Sequence, residues 1–258
     1  MKVAVLYICT GKYNCFFKRF YDSCEKYFLK GIAEVKYFVF TDDMNLTDAE
    51  NVKIIKKECK GFPMDSLLRF DMFLSLENEL KDFDYTFFFN ANMKFTAPIG
   101  IEFLPEKEGL AAVVHPGFFR KPSFMYPYER NKKSTAYIKP KDKRYVYFMG
   151  SLNGGKTQNY LELARNCSTN THKDLDNNII ALVHDESHLN KYLHDKDCLE
   201  LSPAYAYPED WKLPFEAKII LRDKTKINQY FNKGRDHSIV GRLKKASRIL
   251  YRAIIWYL

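Results

Sequence analysis

The densest group of chemistry-bearing side chains is VHDESHLNKY, residues 183–192, where His184, Asp185, Glu186 and His188 stand within five positions. Histidines four apart share one face of a helix, as in zinc helices. The HExxH pattern, however, puts glutamate directly after the first histidine, and here Asp185 stands there. A zinc hydrolase would also need a third ligand, and no residue identifies itself as one. Read simply as a helix start, Asp185 and Glu186 complement the positive end of the helix dipole. A second group is DYTFFFNANMKF, residues 84–95, an apolar run that ends in Asn90-Ala91-Asn92. Two aspartates at such a strand end can hold a divalent cation, whereas neutral amide oxygens are poor ligands for a hard ion. A third, SLNGGKT at 151–157, lacks the GxxxxGK[ST] spacing of a P-loop. It reads as a turn needing positive φ at Gly154 or Gly155, or as a close approach of backbone to a ligand.

These groups need a frame, and the hydrophobic pattern supplies one. Continuous apolar runs at 3–9, 35–43 and 85–89 predict buried strands, the alternating segment 51–59 a further strand, and 109–119 a strand stopped by Pro116. Helical spacing predicts helices over 16–29 and over 65–80, the latter capped by Asp65. In the second half, 144–157 reads as an aromatic strand, a glycine-rich turn and a helix from about Lys156. Segments 174–182 and 185–193 read as helical, and 217–226 as a strand leading into basic residues. Strand alternating with helix predicts an α/β fold with a largely parallel sheet. Ligands of such sheets sit beyond the carboxyl ends of the strands. Those ends carry Thr10-Gly11-Lys12-Tyr13, Thr41-Asp42-Asp43, Asn90-Ala91-Asn92 and His115-Pro116-Gly117, a set suited to a polar ligand with a flat ring.

In order along the chain, YFVFTD (37–42), FNANMKF (89–95), HPGFF (115–119), YERNKKSTAYI (128–138), GSLNGG (150–155), HDESHLNKY (184–192) and LSPAY (201–205) resemble glycosyltransferase family 6. This is the family of the histo-blood-group A and B transferases and the α-1,3-galactosyltransferases. The resemblance spans roughly residues 3–226. It implies a GT-A fold, a Rossmann-like nucleotide-binding half joined to an acceptor-binding half. It also implies retaining transfer of galactose or N-acetylgalactosamine from UDP, in α-1,3 linkage, to a β-galactoside acceptor, fucosylated or lipid-linked. By position, it implies that Ile8 and Tyr13 flank the uracil, that Asp42 lies near the nucleotide, and that Arg69 reaches the donor sugar or diphosphate. Asn90 and Asn92 occupy the DxD positions, His115 binds acceptor galactose, and Met149 and Ser151 lie where the family tells galactose from its N-acetyl form. Asp185 would bond the donor sugar. Glu186 would sit under the anomeric carbon as nucleophile or as stabiliser of an oxocarbenium-like transition state. The chain departs from the family's metal-binding members at the DxD. Asn90 and Asn92 therefore predict catalysis with no divalent metal or other cofactor, a trait the resemblance links to bacterial NxN members. Charge developing on the departing diphosphate must then meet fixed cations, for which Arg69, Arg222, Lys224 and Lys226 are the candidates. Ser151 and Met149, larger than the smallest alternatives, lean toward galactose over N-acetylgalactosamine.

Composition narrows the remaining classes. At 258 residues and 46% apolar, the chain has ample material for a folded core. The opening MKVAVLYICT lacks the features of a signal peptide, and six cysteines without CxxC spacing suit reduced thiols in the cytoplasm. Residues 233–258 hold seven basic side chains against Asp236 alone, six of the nine net positive charges. The body is thus nearly balanced, which argues against a nucleic-acid partner. The chain divides into a catalytic part, 1–232, and a basic tail, 233–258. In the tail, Val240, Leu243, Ala246 or Ser247, Leu250, Ala253 or Ile254 and Tyr257 fall on one helical face, with Arg242, Lys244, Lys245, Arg248 and Arg252 mostly elsewhere. Such a helix can lie on an anionic membrane, which would place the enzyme peripherally at the cytoplasmic face of the inner membrane. Alternatively the tail packs on the body. A zinc hydrolase built on HDESH and a non-catalytic glycan- or nucleotide-binding relative are the other classes.

Overall fold

The computed structural model describes residues 1–140, 145–231 and 238–257. Its ten strands are β1 (Lys2–Ile8), β2 (Glu34–Thr41), β3 (Val52–Lys56), β4 (Tyr85–Phe89), β5 (Met93–Phe95), β6 (Leu110–Val114), β7 (Phe148–Lys156), β8 (Leu199–Leu201), β9 (Tyr207–Pro208) and β10 (Ile219–Leu221). The helices are α1 (Phe17–Tyr27), α2 (Met64–Leu67), α3 (Arg69–Leu74), α4 (Glu77–Leu80), α5 (Thr157–Asp176), α6 (Asp185–Leu193) and α7 (Ile239–Tyr257). Seven strands form one sheet in the order β3-β2-β1-β4-β7-β6-β8, and β5-β10-β9 form a small second sheet. In the large sheet every pair is parallel except those made by β7, which runs antiparallel to both β4 and β6. The predicted α/β class with a largely parallel sheet is what the chain forms.

The central strands are apolar throughout because both faces are covered. Val3, Val5 and Tyr7 enter one core layer with Phe17, Phe20 and Cys24 of α1 and with the small sheet. Ala4 and Leu6, one residue out of phase, enter the opposite layer with Phe70 and Phe73 of α3 and Tyr160, Leu161 and Ala164 of α5. The chain leaves β1 toward β2 on one side, while β4 lies on the other. The crevice beyond the carboxyl ends of β1 and β4 is therefore the switch point where such sheets take ligands.

Several local expectations need correction. The expected helix over 65–80 is three short helices, broken where the backbone leaves the α region at Leu68 (ψ 22°) and Leu76 (ψ 8°). Ser75 Oγ donates to the Met72 carbonyl at 2.6 Å, competing with the helical ladder there. Asp65 does not cap a helix. Its carboxylate accepts the N–H groups of Lys60 and Gly61 and closes the preceding loop. Gly154 and Gly155 lie within β7, not in a turn. A Cβ on Gly154 would stand 2.5 Å from the Thr86 carbonyl oxygen, and one on Gly155 2.2 Å from that of Gly109. The glycines let β7 fit between its two neighbours. Of the expected helical segment 174–182, only 174–176 are helical, as the end of α5. Asn178 takes positive φ (56°), and the Ile179 N–H returns to the Asp174 carbonyl, closing the helix in a left-handed cap.

The tail folds as the helix α7, but with two apolar faces rather than one. Ala253 and Trp256 are buried against the body, whereas Val240, Leu243, Leu250, Tyr251 and Ile254 are exposed. Lys233, Arg235 and Asp236, and the side chains of Arg242, Lys245 and Tyr257, lie outside the described residues. No described helix is long and apolar enough to cross a membrane.

Candidate active site

A cavity of about 860 Å³ opens at the switch point, lined among others by Ile8, Lys12, Tyr13, Arg69, Asn90 and Lys224. The β1 side is built on Gly11, whose positive φ (54°) turns the chain out of the sheet. Asp42, at the end of β2, accepts the Gly11 N–H at 2.9 Å and Asn14 Nδ2 at 2.8 Å. The Asn14 bond, then that of Gly11, holds its carboxyl below the ordinary range. Asp42 therefore fixes the loop that presents Tyr13 and is not itself among the residues lining the cavity. Lys224 Nζ lies 4.7 Å above the Tyr13 ring, with the Phe231 ring edge-on at 4.7 Å.

The two amides have different surroundings. Asn90 lines the cavity, and its Nδ2 donates to Asn92 Oδ1 at 3.1 Å. Asn92 is buried, with Nδ2 donating to the Arg222 carbonyl at 2.7 Å, while the Arg222 N–H returns to the Asn92 carbonyl at 2.9 Å. Asn92 thus ties the end of β4 to the basic segment after β10. An aspartate could not make that donation. The four candidate cations separate. Arg69 and Lys224 line the cavity; Arg222 packs over the Phe16 ring (5.7 Å), and Lys226 pairs with Asp210 at the surface (2.5 Å). Of these candidates, neither Arg222 nor Lys226 is among the cavity-lining residues.

Beside the cavity, the start of α6 meets β7. Residues 183–186 close a turn through the Glu186 N–H and Val183 carbonyl (3.1 Å), with His184 at φ 52°, ψ −126°. Asn190, one turn later, clamps α6 to β7 by bonding both the N–H and the carbonyl of Phe148. The turn aims the two acids at β7. Asp185 pairs with Arg69 (Nη1 to Oδ2, 3.0 Å), and Arg69 Nη1 also donates to the Gly150 carbonyl at 2.6 Å. Glu186 accepts the Gly150 N–H on Oε2 at 2.6 Å and the Tyr147 hydroxyl on Oε1 at 2.5 Å. Burial raises both carboxyls. It pushes Glu186 up to about 7 against the opposing pull of its two donors, and raises Asp185 against the pull of Arg69. Met149 and Ser151 flank Gly150 on the same strand, and Ser151 Oγ is buried without a partner among the described residues.

His115 stands just past β6. The Gly117 N–H donates to its Nδ1 at 2.9 Å, which leaves the ring proton on Nε2 as a donor. Burial pushes its pKa down to about 4, so the ring is a neutral donor over the ordinary pH range. His184 and His188 do not behave as a metal pair. His184 packs edge-on to Phe62, His188 is sealed in the interior 3.8 Å from Asp174, and no group of three potential ligands lies together among the described residues. The zinc reading therefore lacks its centre there.

A family model, glycosyltransferase family 6, matches residues 1–232. The chain belongs to this family. Its large mixed sheet, flanked by helices, is that of a GT-A-type transferase. It is 41% identical to the O-antigen biosynthesis glycosyltransferase WbnI of Escherichia coli over 234 residues, 90% of this chain and 99% of that protein. It is 30% identical to the mouse globoside alpha-1,3-N-acetylgalactosaminyltransferase 1 (88% of this chain, 67% of that protein). It is 33% identical to the rat histo-blood group ABO system transferase 1 (77% and 58%).

Some family 6 motif residues noticed only as fingerprints have structural work. Glu129, in the YER motif, accepts the N–H groups of Arg130 and Asn131 on Oε1 and that of Leu182 on Oε2, bracing the turn before Asp185. Phe62, Tyr230 and Tyr147 escaped the sequence reading, whereas Lys12 was read only as part of the TGKY strand end and given no role of its own. Tyr147 lies 39 positions from its partner, and no local signal marks it.

Proposed function

We propose that this family 6 enzyme transfers galactose, or N-acetylgalactosamine, from its UDP derivative to a β-galactoside in α-1,3 linkage with retention, and does so without a divalent metal. The observation that carries this reading is the junction of a nucleotide-sized cavity with a buried, Arg69-paired Asp185 and a donor-supported Glu186. In this reading Ile8 and Tyr13 hold the uracil, and Asp185 and Arg69 hold the donor sugar. Glu186 faces the anomeric carbon as nucleophile or as stabiliser of the oxocarbenium-like transition state. With Glu186 as stabiliser, the acceptor hydroxyl oxygen bonds to that carbon on the face from which the UDP oxygen departs, and its proton passes to the departing diphosphate oxygen; with Glu186 as nucleophile, the carboxylate first displaces UDP and the acceptor oxygen then displaces the carboxylate, giving its proton to the same diphosphate. The neutral His115 donates through Nε2–H to an acceptor hydroxyl. Lys224 and Arg69 offset the charge on the leaving diphosphate, and Lys12 joins them as a third cavity cation. Asn90 replaces a metal-binding acid with a hydrogen-bonding amide, and Asn92 keeps the Lys224 segment in place. Ser151 and Met149 favour galactose by the space they fill, a difference worth only about 1–3 kcal/mol. The O-antigen role named for the E. coli relative supports a surface glycan, carried on lipid, as acceptor. The cytoplasmic membrane face, reached through α7, suits such a substrate.

The deciding experiment is UDP release from both donors over a panel of β-galactosides, with and without EDTA. Release should require an acceptor, favour UDP-galactose and be unchanged by EDTA. Glu186→Gln should lower turnover on the order of 10²-fold or more. Activity lost in EDTA would remove the metal-free part, and silence with both donors would remove the whole reading.

A further inference from the structure

Behind Glu186 lies an aromatic layer that the reaction does not by itself explain. Tyr126, Tyr128, Ile138, Tyr147 and Trp256 form one buried cluster. Trp256 belongs to α7, outside residues 1–232 of the family match. Its indole N–H donates to the Ile138 carbonyl at 2.7 Å, and Arg252, one turn earlier, donates to the Tyr128 carbonyl at 2.8 Å. The Trp256 ring lies 6.0 Å from that of Tyr128, which lies 5.4 Å from that of Tyr147. Tyr128 Oη also donates to the Val146 carbonyl at 2.7 Å, pinning the backbone next to Tyr147. The Tyr147 ring is further confined by His115 (5.8 Å) and Phe118 (5.2 Å), which leaves its hydroxyl directed at Glu186.

We propose that Tyr147 is a positioning residue that aims and holds the Glu186 carboxylate, and that the last turns of α7, through Trp256 and Tyr128, hold Tyr147. The tail is then part of the active-site scaffold and not an appendage. Only an ionised Glu186 serves as nucleophile or charge stabiliser, and the Tyr147 hydroxyl donates to that ionised form. The other groups facing the carboxylate are Asp185, which disfavours its ionisation, and Arg69 and the Gly150 N–H, which favour it. Arg252 and Tyr128 face Tyr147 from the far side. None of these changes when the Tyr147 hydroxyl alone is removed.

The test combines a titration and a rate profile on the full chain. Glutamate carboxyl ¹³C resonances are followed with pH, the Glu186 signal being assigned by its loss in Glu186→Gln. In Tyr147→Phe the midpoint should move up, so that the protonated fraction near pH 8 rises about fivefold. Trp256→Ala should shift it in the same direction by less, with Trp256→Phe standing in if the alanine variant does not fold. In UDP-release assays, which rest on the transferase reading, Tyr147→Phe should lose about tenfold more kcat at pH 6 than at pH 9, with donor KM little changed. An unmoved Glu186 midpoint in both variants, or a fall in kcat equal at all pH values, overturns the proposal. Inactivity of the unmodified chain would count against the transferase reading alone, because the titration needs no turnover.

Discussion

At the scale of single residues, Glu186 shows how a reactive group is kept at the expense of the fold. Its carboxyl is raised from 4.5 to about 7, with burial the largest cause. A group that binds its proton more tightly when folded adds stability below its unfolded pKa, and that contribution is lost as pH rises through the folded value. The cost should therefore develop between about pH 4.5 and pH 7 and be complete by pH 8. Glu186→Gln keeps the shape and an acceptor oxygen but not the charge. Thermal melts should find it more stable than the unmodified chain by roughly 1–3 kcal/mol at pH 8 and nearly equal to it at pH 4.5. Equal stability at both pH values would show that the carboxylate is not strained by its surroundings. Asn92 illustrates the opposite case: a residue at an expected ligand position whose amide is spent on the Arg222 carbonyl.

At the scale of elements, the turn before α6 stores strain where it aims the acids. His184 at φ 52°, ψ −126° occupies a region that suits glycine. Such a residue costs on the order of 1–3 kcal/mol, while a glycine there would forfeit about 0.5–1 kcal/mol through the unfolded chain. The relief of strain outweighs that loss. His184→Gly should raise stability by about 1 kcal/mol in thermal or urea unfolding, and it should lower kcat as the turn loses its Phe62 contact and its rigidity. A destabilised variant would contradict this. These elements also show what a sequence makes legible. Strands β1, β2 and β4 could be read because both faces are buried, which leaves an unbroken apolar run. The breaks at Leu68 and Leu76 could not, because the apolar periodicity runs on through them. The role of Gly154 and Gly155 was hidden because the reason for them is the carbonyls of Thr86 and Gly109, neighbours that only the sheet brings close. The HDESH acids were found through a motif and Arg69 through the family resemblance, whereas Tyr147 joins the site only by tertiary contact.

At the scale of the whole molecule, α7 presents two opposed faces. Ala253 and Trp256 hold it to the body, while Val240, Leu243, Leu250, Tyr251 and Ile254 look outward beside exposed Lys244 and Arg248. An outward apolar stripe with a basic flank matches an anionic lipid surface. Leu250→Asp together with Ile254→Asp alters only the outer stripe and leaves Trp256 in place. Sedimentation with phosphatidylglycerol vesicles should fall at least about tenfold for the pair, while UDP release onto a soluble acceptor stays unchanged. Equal sedimentation would sink the membrane contact. The sheet order carries a last consequence, for how the molecule comes into being. β7 is inserted between β4 and β6, both of which precede it in the chain. As the polypeptide leaves the ribosome, β6 has no strand to pair with until residues 148–156 arrive and join it to β4. The strand that joins them carries Gly150 and follows Tyr147 directly, the two residues that receive Glu186. The joining of β4 to β6 and the floor of the site are thus a single late event, so a nascent chain interrupted before β7 leaves one edge of β4 and both edges of β6 unpaired and forms no site.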